Sequence, residues 1–443
     1  MNYLSVGFFL FFLLLLISLN FVRDAKQQNM VLLFASYIFY DLGDARFLLL
    51  LAGLSVLMWF LGRKISTAVS KQNAKRYLVI GVATDVLVLG IFKYLNFFAE
   101  GFSTLFGLSY TTLNIILPIG ISFYIFQSIS YLADVYTEKI EAEESVWNVM
   151  LYIGFFPQIV SGPIVKAHDF MPQIKELHKI TWEGLSHGAQ RFAMGAFKKA
   201  VIADRLGVAV NAVYAAPEAY SGLSLLLTVL AYGLQIYYDF SGYSDMAIGV
   251  AHMLGFDLGA NFNLPYLAKN PSDFWRRWHI SLSSWFRDYV YIPLGGSRKG
   301  KVRTYLNLFI TMLLSGLWHG ANLAFVVWGA VHALASVVHK WFADVKKKNG
   351  WDKKESKVWA GASMLMTFLA VNLLWIPFRI NDFGQAMRVI QRIFTWSDGV
   401  DYVYVFTLIF AVLLLVVEVI ALWKNNGNHI WEPLDLSGFW EKW

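Results

Sequence analysis

The sequence predicts an all-α, polytopic integral membrane protein, on three observations. Hydrophobic residues make up 57% of the 443 residues and charged residues only 15%, whereas soluble domains carry about 25% charged residues. Aromatic residues reach 17%, with 17 Trp, which suits a chain that places rings at two lipid–water boundaries. Apolar runs that could cross about 30 Å of hydrocarbon recur along the whole chain.

These apolar runs predict about 11 transmembrane helices, within a range of ten to twelve. Several runs are shorter than the roughly twenty residues of a straight span, so tilted, broken or re-entrant helices are expected. The strong runs lie near 4–22, 30–42, 45–62, 77–99, 112–133, 222–240, 304–318, 320–342, 358–378 and 402–423, and weaker runs broken by Gly or Pro lie near 147–165, 187–215 and 243–256.

Basic clusters between the apolar runs predict the orientation. Cytoplasmic loops carry the excess of Lys and Arg, so the charge of +7 is interpreted as topology and not as a nucleic-acid surface. Counting back from the first cluster places the N-terminus outside. The first run is followed, not preceded, by basic residues, unlike a cleavable signal peptide. The clusters are Arg63, Lys64, Lys71, Lys75 and Arg76; Arg298, Lys299, Lys301 and Arg303; and Lys346, Lys347, Lys348, Lys353, Lys354 and Lys357.

The chain is predicted to form a single domain. Residues 154–163 contain two Pro and two Gly, so a plain span is excluded there and a re-entrant loop that lines a cavity is expected. Residues 166–186 mix charged and apolar side chains and predict a cytoplasmic interfacial helix. The predicted segments are N-terminal spans at 1–134, a re-entrant and interfacial core at 135–303, a hairpin that carries the chemistry at 304–342, and C-terminal spans at 343–443.

Several kinds of chemistry are excluded. The chain has no Cys, which rules out thiolate catalysis, disulfides and Cys-ligated zinc. It lacks GxGxxG, Walker, HExxH and GxSxG motifs, so neither a metal nor a bound cofactor is predicted. The function must therefore be sought among polar residues at membrane depth.

The first candidate is His319, within the stretch Leu314–Asn322. Basic residues on both sides predict a helical hairpin with cytoplasmic ends. His319 then lies about fifteen residues from Thr304, or roughly 22 Å along a helix. An ionisable group inside the membrane marks a pathway or a site by default, and imidazole is well suited to proton transfer near neutral pH. A histidine that only packs against a carbonyl is an equally common alternative.

Neighbours of His319 support a site. Gly316 and Gly320 remove side-chain bulk, so that a partner helix or a flat acyl group can approach. Asn322 lies about one turn further on if the helix continues, where it could orient the imidazole ring. Trp318 is the adjacent candidate for substrate contact.

A second candidate lies between Asp273 and Tyr289. Arg276 and Arg277 stand beside tryptophans and predict contact with phosphate, either of lipid headgroups or of an anionic donor. His279 is a candidate second catalytic group, with Ser283 close by. Interfacial anchoring by Trp and Arg is the alternative.

A third candidate lies at the end of the apolar run near 222–240. Asp239 and Asp245 stand six residues apart beside hydroxyl groups such as that of Tyr243. They could line a channel or neutralise Arg276 and Arg277. Structural ion pairing is the favoured interpretation of either carboxylate.

Together these stretches resemble the membrane-bound O-acyltransferase family, in its bacterial branch, and most closely the alginate-type subunits. The resemblance implies a fold of about eleven spans with re-entrant segments around a central tunnel. It also implies that His319 is the essential histidine and that His279 occupies the second polar catalytic position. The matching stretches are Leu117–Tyr124, Tyr238–Gly249, Phe274–Ser283 and Leu317–Asn322.

The resemblance also implies the reaction and its place. An acetyl or other acyl group would move from a cytoplasmic thioester to a hydroxyl of an extracytoplasmic polysaccharide, or first to a periplasmic or membrane-anchored acetyltransferase, across a bacterial inner membrane. We expect His319 to act as general base, and His279 to orient the thioester or stabilise the oxyanion. Acetyl-CoA and an acyl carrier protein remain open as donors. Alginate, peptidoglycan and teichoic acid remain open as acceptors.

Two non-enzymatic functions are the alternatives. A transporter for acyl groups or lipid-linked sugars would also have broken helices and buried polar groups, although the sequence shows no paired inverted halves. A scaffold that recruits soluble transferases would leave activity unchanged when His319 is replaced.

Overall fold

The computed structural model describes residues 2–160, 162–350, 356–380, 382–402 and 405–424. Within these ranges the chain is helical, and its one strand-like pairing is a parallel bridge between Tyr220 and Val400. The predicted all-α class is confirmed. Ser161, Lys353 and Lys354, which the sequence singled out, lie outside the described residues, as do positions 403 and 404 of the last apolar run.

The helices are numbered in chain order. Short π-helical turns continue or join some of them, at 90–94, 198–203 and 287–291. The helices are α1 Val6–Leu19, α2 Ala25–Asp44, α3 Leu48–Ser66, α4 Lys71–Leu89, α5 Leu95–Phe106, α6 Ile121–Tyr136, α7 Val146–Gly154, α8 Phe156–Ile159, α9 Ala167–Phe170, α10 Trp182–Phe197, α11 Asp204–Ala215, α12 Gly222–Met253, α13 Pro271–Arg277, α14 Ile280–Phe286, α15 Lys301–His319, α16 Leu323–Lys348, α17 Lys357–Arg379, α18 Phe383–Phe394 and α19 Val405–Lys424.

Long apolar helices make this a multi-pass membrane protein. In the described part of the chain, five helical stretches are long and apolar enough to cross a bilayer, and two shorter apolar helices lie near the ends. The total of about 11 spans stays a prediction. The long stretches are Ala25–Ser66, Lys71–Phe106, Gly222–Met253, Leu323–Lys348 and Lys357–Arg379, and the shorter ones are Val6–Leu19 and Leu408–Ile420.

The chain divides into two compact units. The first unit comprises Met1–Ala193 and Ser244–Gly259, and the second comprises Met194–Tyr243 and Ala260–Trp443. Two of the three boundaries fall inside α10 and α12, so each of these helices contributes to both units, and the third follows Gly259 in irregular backbone. The boundaries do not coincide with the predicted segment ends at 134, 303 and 342.

In the first unit, α3, α4 and α6 pack against one another. Glycines permit this close approach: a Cβ on Gly62 would lie 2.7 Å from the ring of Tyr131, and one on Gly81 would overlap Leu132. The helix α4 begins at Lys71 because the Ser70 hydroxyl accepts the N–H of Asn73 at 3.2 Å, which satisfies one of the unpaired donors of the first turn.

One predicted span is wrong in its first half. The run near 112–133 becomes helical only at Ile121. Pro118 lacks an N–H donor, and Gly120 adopts φ 73° where an added Cβ would overlap the carbonyl oxygen of Ile159. The backbone therefore stays non-helical from Leu108 to Ile119.

The predicted interfacial helix at 166–186 is also wrong. The segment contains the one-turn helix α9, a 3-10 turn at Gln173–Lys175 and extended backbone before α10 begins at Trp182. Pro172 removes a donor within the would-be helix. At 154–163, as predicted, no plain span forms: α7 ends at Gly154, and the four-residue helix α8 is followed by irregular backbone. That this loop is re-entrant and lines a cavity stays a prediction.

In the second unit, α15 and α16 form the predicted hairpin. Their backbones touch, because a Cβ on Gly316 would lie 2.6 Å from the carbonyl oxygen of Phe325 and 2.7 Å from Cα of Gly329. Only glycine tolerates such proximity. The close approach of a partner helix, predicted for Gly316, is confirmed.

Candidate active site

The turn of the α15–α16 hairpin carries His319. His319 is the last residue of α15, eighteen residues after Lys301, or about 27 Å along the helix axis. Gly320 follows with extended backbone. The helix therefore does not continue to Asn322, as one expectation required. Asn322 instead caps α16, accepting the N–H of Ala324 at 2.8 Å, so the predicted role of Asn322 in orienting the ring is not supported by its position.

Aromatic rings surround His319. The ring centroids of Trp318, Trp328 and Phe378 lie 5.0, 5.2 and 5.2 Å from that of His319, all in edge-to-face geometry. Trp328 is fully buried. The imidazole is half-buried and held on several sides by apolar faces, so its rotation is restricted while part of it stays accessible.

His279 lies in the break between α13 and α14. Its backbone has φ 44° and ψ 57°, a left-handed conformation that is uncommon outside Gly, Asn and Asp and is often found at functional sites. The side chain is 1% exposed. Its ring packs edge-on against Phe240 at 4.6 Å and faces Trp318 at 6.1 Å.

Asn261 determines the proton position on His279. Asn261 Oδ1 accepts the backbone N–H of Ser281 at 3.3 Å and the Ser281 hydroxyl at 2.9 Å. Because a backbone N–H always donates, this side-chain atom is the carbonyl oxygen. His279 Nδ1, 3.0 Å away, must then carry the proton. Its Nε2 is a buried acceptor without a hydrogen-bond partner among the described residues.

Burial lowers the pKa of His279 well below its ordinary range, and electrostatic repulsion between its charged form and His319 lowers the pKa further. The imidazole is therefore neutral at physiological pH. In this form Nε2 has no proton to donate. This geometry does not support the expectation that neutral His279 donates to an oxyanion, whereas it suits His279 to accept a hydrogen bond.

A cavity of about 540 Å³ lies beside α15. Its wall carries three cations, Arg276, Arg287 and Lys340. Arg276 is exposed and makes no hydrogen bond or ion pair within the described ranges. Hydroxyl groups complete much of the polar lining, and the deepest on α15 belongs to Ser315, one helical turn before His319. These hydroxyl residues are Ser272, Ser283, Ser284, Thr304, Thr311, Ser315 and Ser336.

The predicted pairing of the Asp residues with Arg276 and Arg277 is wrong. Asp239 accepts the Lys199 ammonium at 2.5 Å in the second unit, and Asp245 pairs with Arg191 at 3.2 Å in the first. Arg277 pairs with Asp273 at 3.0 Å. The favoured alternative, structural ion pairing of both Asp residues, agrees with this geometry.

For two further residues, contact with substrate stays a prediction. Ser283 lines the cavity, and Tyr243 lies half-buried one turn beyond Asp239 on α12. No cluster of three or more His, Asp or Glu side chains able to hold a metal ion occurs in the part of the chain that is described.

Sequence reasoning missed four residues of this region. Asn261 sits in an irregular segment with no periodic signal, and Phe378 and Trp328 resemble ordinary core positions. Lys340 was indistinguishable from other basic residues. A fifth, His332, did carry a signal, because it is an imidazole inside a predicted span. It is 2% exposed and packs on Trp328 at 4.7 Å.

Comparison with known proteins identifies the family. Residues 140–376 match the membrane-bound O-acyltransferase (MBOAT) family. The chain is 41% identical over 404 residues to the probable alginate O-acetylase AlgI of Pseudomonas putida, covering 89% of this chain and 80% of that protein. It is 33% identical over 415 residues to the peptidoglycan O-acetyltransferase of Helicobacter pylori, covering 88% and 77%. It is 30% identical over 251 residues to the teichoic acid D-alanyltransferase of Bacillus subtilis, covering 54% and 62%. The chain, with its paired histidines and cation-lined cavity, belongs to the membrane-bound O-acyltransferase family.

Proposed function

We propose that this O-acyltransferase moves an acetyl group from cytoplasmic acetyl-CoA to a hydroxyl outside the bacterial inner membrane, with the N-terminus outside. The acceptor is an alginate-type polysaccharide, reached directly or through a periplasmic or membrane-anchored acetyltransferase. Relatives about 40% identical that are named alginate O-acetylases support this acceptor. The observation that carries the chemistry is the neighbouring pair of imidazoles, His279 and His319, of which one is held as a neutral acceptor.

In the proposed reaction, His319 removes the proton from the acceptor hydroxyl. The hydroxyl oxygen attacks the thioester carbonyl, the C–O bond forms, and the C–S bond breaks. The leaving thiolate then takes the proton back from His319. When His319 takes up this proton, its ring turns to donate the other N–H to the unoccupied Nε2 of His279, in the way that a third group orients the base of a catalytic triad. General-base assistance supplies about 10²–10⁴ in rate, and alignment supplies much of the remainder.

The cavity beside α15 supports acetyl-CoA as donor. Coenzyme A carries several phosphate charges, and Arg binds phosphate through paired, charge-assisted hydrogen bonds. Arg276, Arg287 and Lys340 supply cations in the cavity wall. The lining residues Thr304 and Ser315 are eleven residues apart, or about 16 Å along the helix. If the extended arm of acetyl-CoA follows this wall, it carries the thioester toward His319.

Acetyl transfer by the purified protein tests the proposal. Protein in lipid nanodiscs, given acetyl-CoA radiolabelled in the acetyl group and a soluble alginate oligomer, should form a labelled ester. His319→Ala should form none, while it elutes and melts like the wild type. Undiminished transfer by the variant would contradict the role of His319, and absence of any labelled ester with the wild type would contradict direct acetyl transfer to the polysaccharide.

The same assay tests the donor cavity. Arg276→Ala should raise KM for acetyl-CoA about 10-fold to 100-fold with little change in kcat, because one charge-assisted contact is worth about 1.5–3 kcal/mol. Arg298→Ala, in the exposed basic loop outside the cavity, is the matched control. Equal KM values for the two variants would place the donor phosphates elsewhere.

A further inference from the structure

A buried acidic group lies in the first unit, apart from the candidate active site. Asp85 sits on α4, fourteen residues beyond Lys71 and about 21 Å along the helix. Its side chain is 0% exposed, and neither carboxylate oxygen accepts a hydrogen bond from any described residue. An isolated carboxylate in such surroundings is so costly that the group takes up a proton instead.

The helix α6 packs against α4 beside this carboxyl. Gly81, one turn before Asp85, packs against Leu132, and Asp85 interacts electrostatically with Tyr124. Since position increases along α4 while it decreases along α6, the two helices run antiparallel through this contact. Ser128 therefore lies at the level of Asp85.

Several buried polar groups of α6 lack hydrogen-bond partners among the described residues. The Tyr124 and Ser128 hydroxyls and both polar atoms of the Gln127 amide are buried and make no hydrogen bond to described residues. A native structure leaves few such groups, and each calls for an explanation. Three neighbouring side chains of α6, each able to accept or share a proton, thus lie unsatisfied on the helix that packs against α4 beside Asp85.

A chain of polar groups connects this site to α2. Tyr124 interacts with the hydroxyl of Tyr40, and Tyr40 with Asp44. Asp44, at the end of α2, accepts Arg46 Nε at 2.8 Å, and the Arg46 side chain is 59% exposed. The series Asp44, Tyr40, Tyr124 and Asp85 thus runs from an exposed ion pair to the buried carboxyl.

We propose that Asp85 is an intramembrane proton-binding site, filled through Tyr124 and Tyr40 from Asp44. One proton binds one carboxylate oxygen and forms the neutral carboxylic acid, and each hydroxyl passes on a proton as it receives another. No described cation pairs with Asp85: α3 presents Met58 and Leu61 at Gly81, and Lys93, eight residues beyond Asp85 in the π-helical turn that continues α4, donates to Ser122 at 3.2 Å.

Infrared difference spectroscopy of the full-length protein tests the site. At pH 7, the spectrum of wild type minus Asp85→Asn should contain the C=O stretch of a protonated carboxyl, shifted in D₂O. The matched control is Asp134→Asn in the same unit, since Asp134 is equally buried but is bound by His168 at 2.7 Å and Lys139 at 3.3 Å. That control should lose carboxylate bands. Carboxylate bands for Asp85 as well would overturn the proposal.

A separate variant tests the proposed route of proton transfer from Asp44 to Asp85. Tyr124→Phe should keep the carboxylic acid band but slow its exchange in D₂O, because one relay hydroxyl is lost. An unchanged exchange rate would overturn the route. Should Asp85→Asn fail to fold, Asp85→Glu retains the carboxyl and should shift the same band, whereas absence of any acid band in the wild type would overturn the site itself.

Discussion

At the scale of single residues, the candidate site depends on which histidine nitrogen carries a proton. Asn261 accepts from the Ser281 backbone, so its oxygen also faces His279 Nδ1. His279 therefore carries its proton on Nδ1 and presents Nε2 as a hydrogen-bond acceptor. His319 instead packs among the aromatic rings of Trp318, Trp328 and Phe378. The two imidazoles are therefore not interchangeable.

Replacing Asn261 by Asp tests this assignment through pH. A carboxylate at Nδ1 raises the pKa of His279, because an opposite charge favours the imidazolium. His279 must be neutral to accept a hydrogen bond from His319, so the acidic limb of the kcat profile should move to higher pH. Asn261→Ala should lower kcat by up to about 100-fold without raising KM, because it removes the orientation of the base but not the base itself, whose own assistance is worth about 10²–10⁴.

Asn263→Ala is the matched control for these variants. Asn263 lies two residues from Asn261 but contacts Arg277 through its backbone and makes no hydrogen bond to His279. Its pH profile should equal that of the wild type. Identical profiles for Asn261→Asp and Asn263→Ala would show that Asn261 has only a structural role.

At the scale of elements, the α15–α16 hairpin positions His319. Both helices approach through Gly316 and Gly329, and their carbonyls and Cα atoms occupy the space that side chains would need. The hairpin was predicted from basic residues at both ends and an apolar pattern between them. Its contact geometry follows from the two glycines, of which only Gly316 was singled out.

Gly316→Ala should destabilise the hairpin. The added methyl group would lie 2.6–2.7 Å from backbone atoms that cannot move independently, and overpacking of this kind costs about 1–3 kcal/mol. Thermal unfolding in detergent should show a lower Tm, with reduced acetyl transfer.

Gly361→Ala on α17 provides the opposite case. No atom lies within 4 Å of the added methyl group, and Ala favours a helix over Gly by roughly 0.5–1 kcal/mol. Its Tm should equal or exceed that of the wild type. A Tm for Gly316→Ala as high as that for Gly361→Ala would contradict the close packing.

The last helix illustrates an element that hydropathy predicts but does not explain. The apolar run near 402–423 corresponds to α19, which nevertheless contains Glu418. This carboxylate is 2% exposed and binds Lys198 at 2.7 Å, with Tyr237 donating at 3.2 Å. A buried charge needs such partners, and neither partner could be recognised from spacing along the chain.

At the scale of the whole molecule, the absence of Cys makes the topology directly testable. Ser109 follows α5 and Ser297 lies in a basic loop, and both are exposed. In intact spheroplasts, a membrane-impermeant maleimide should label Ser109→Cys, whereas Ser297→Cys should react only after permeabilisation. The reason is the retention of basic loops in the cytoplasm. The reverse pattern would invert the proposed orientation.

The sequence by itself determined the membrane class and the family, and it singled out both candidate histidines, because hydropathy, charge clusters and motifs are local properties of the chain. It also placed the hairpin at 304–342, close to the α15–α16 hairpin that runs from Lys301 to Lys348 in the structure. It was wrong where one proline redirected a segment, as at Pro118 and Pro172, since hydropathy does not register a missing donor.

The tertiary structure alone decided which groups meet. Asp239 binds Lys199, Asp245 binds Arg191, and Asn261 binds His279, across separations of 18 to 54 residues along the chain that depend on helix packing. The tautomer of His279 follows from the last of these contacts. Such contacts are set by the geometry between helices, which no pattern within a single helix encodes.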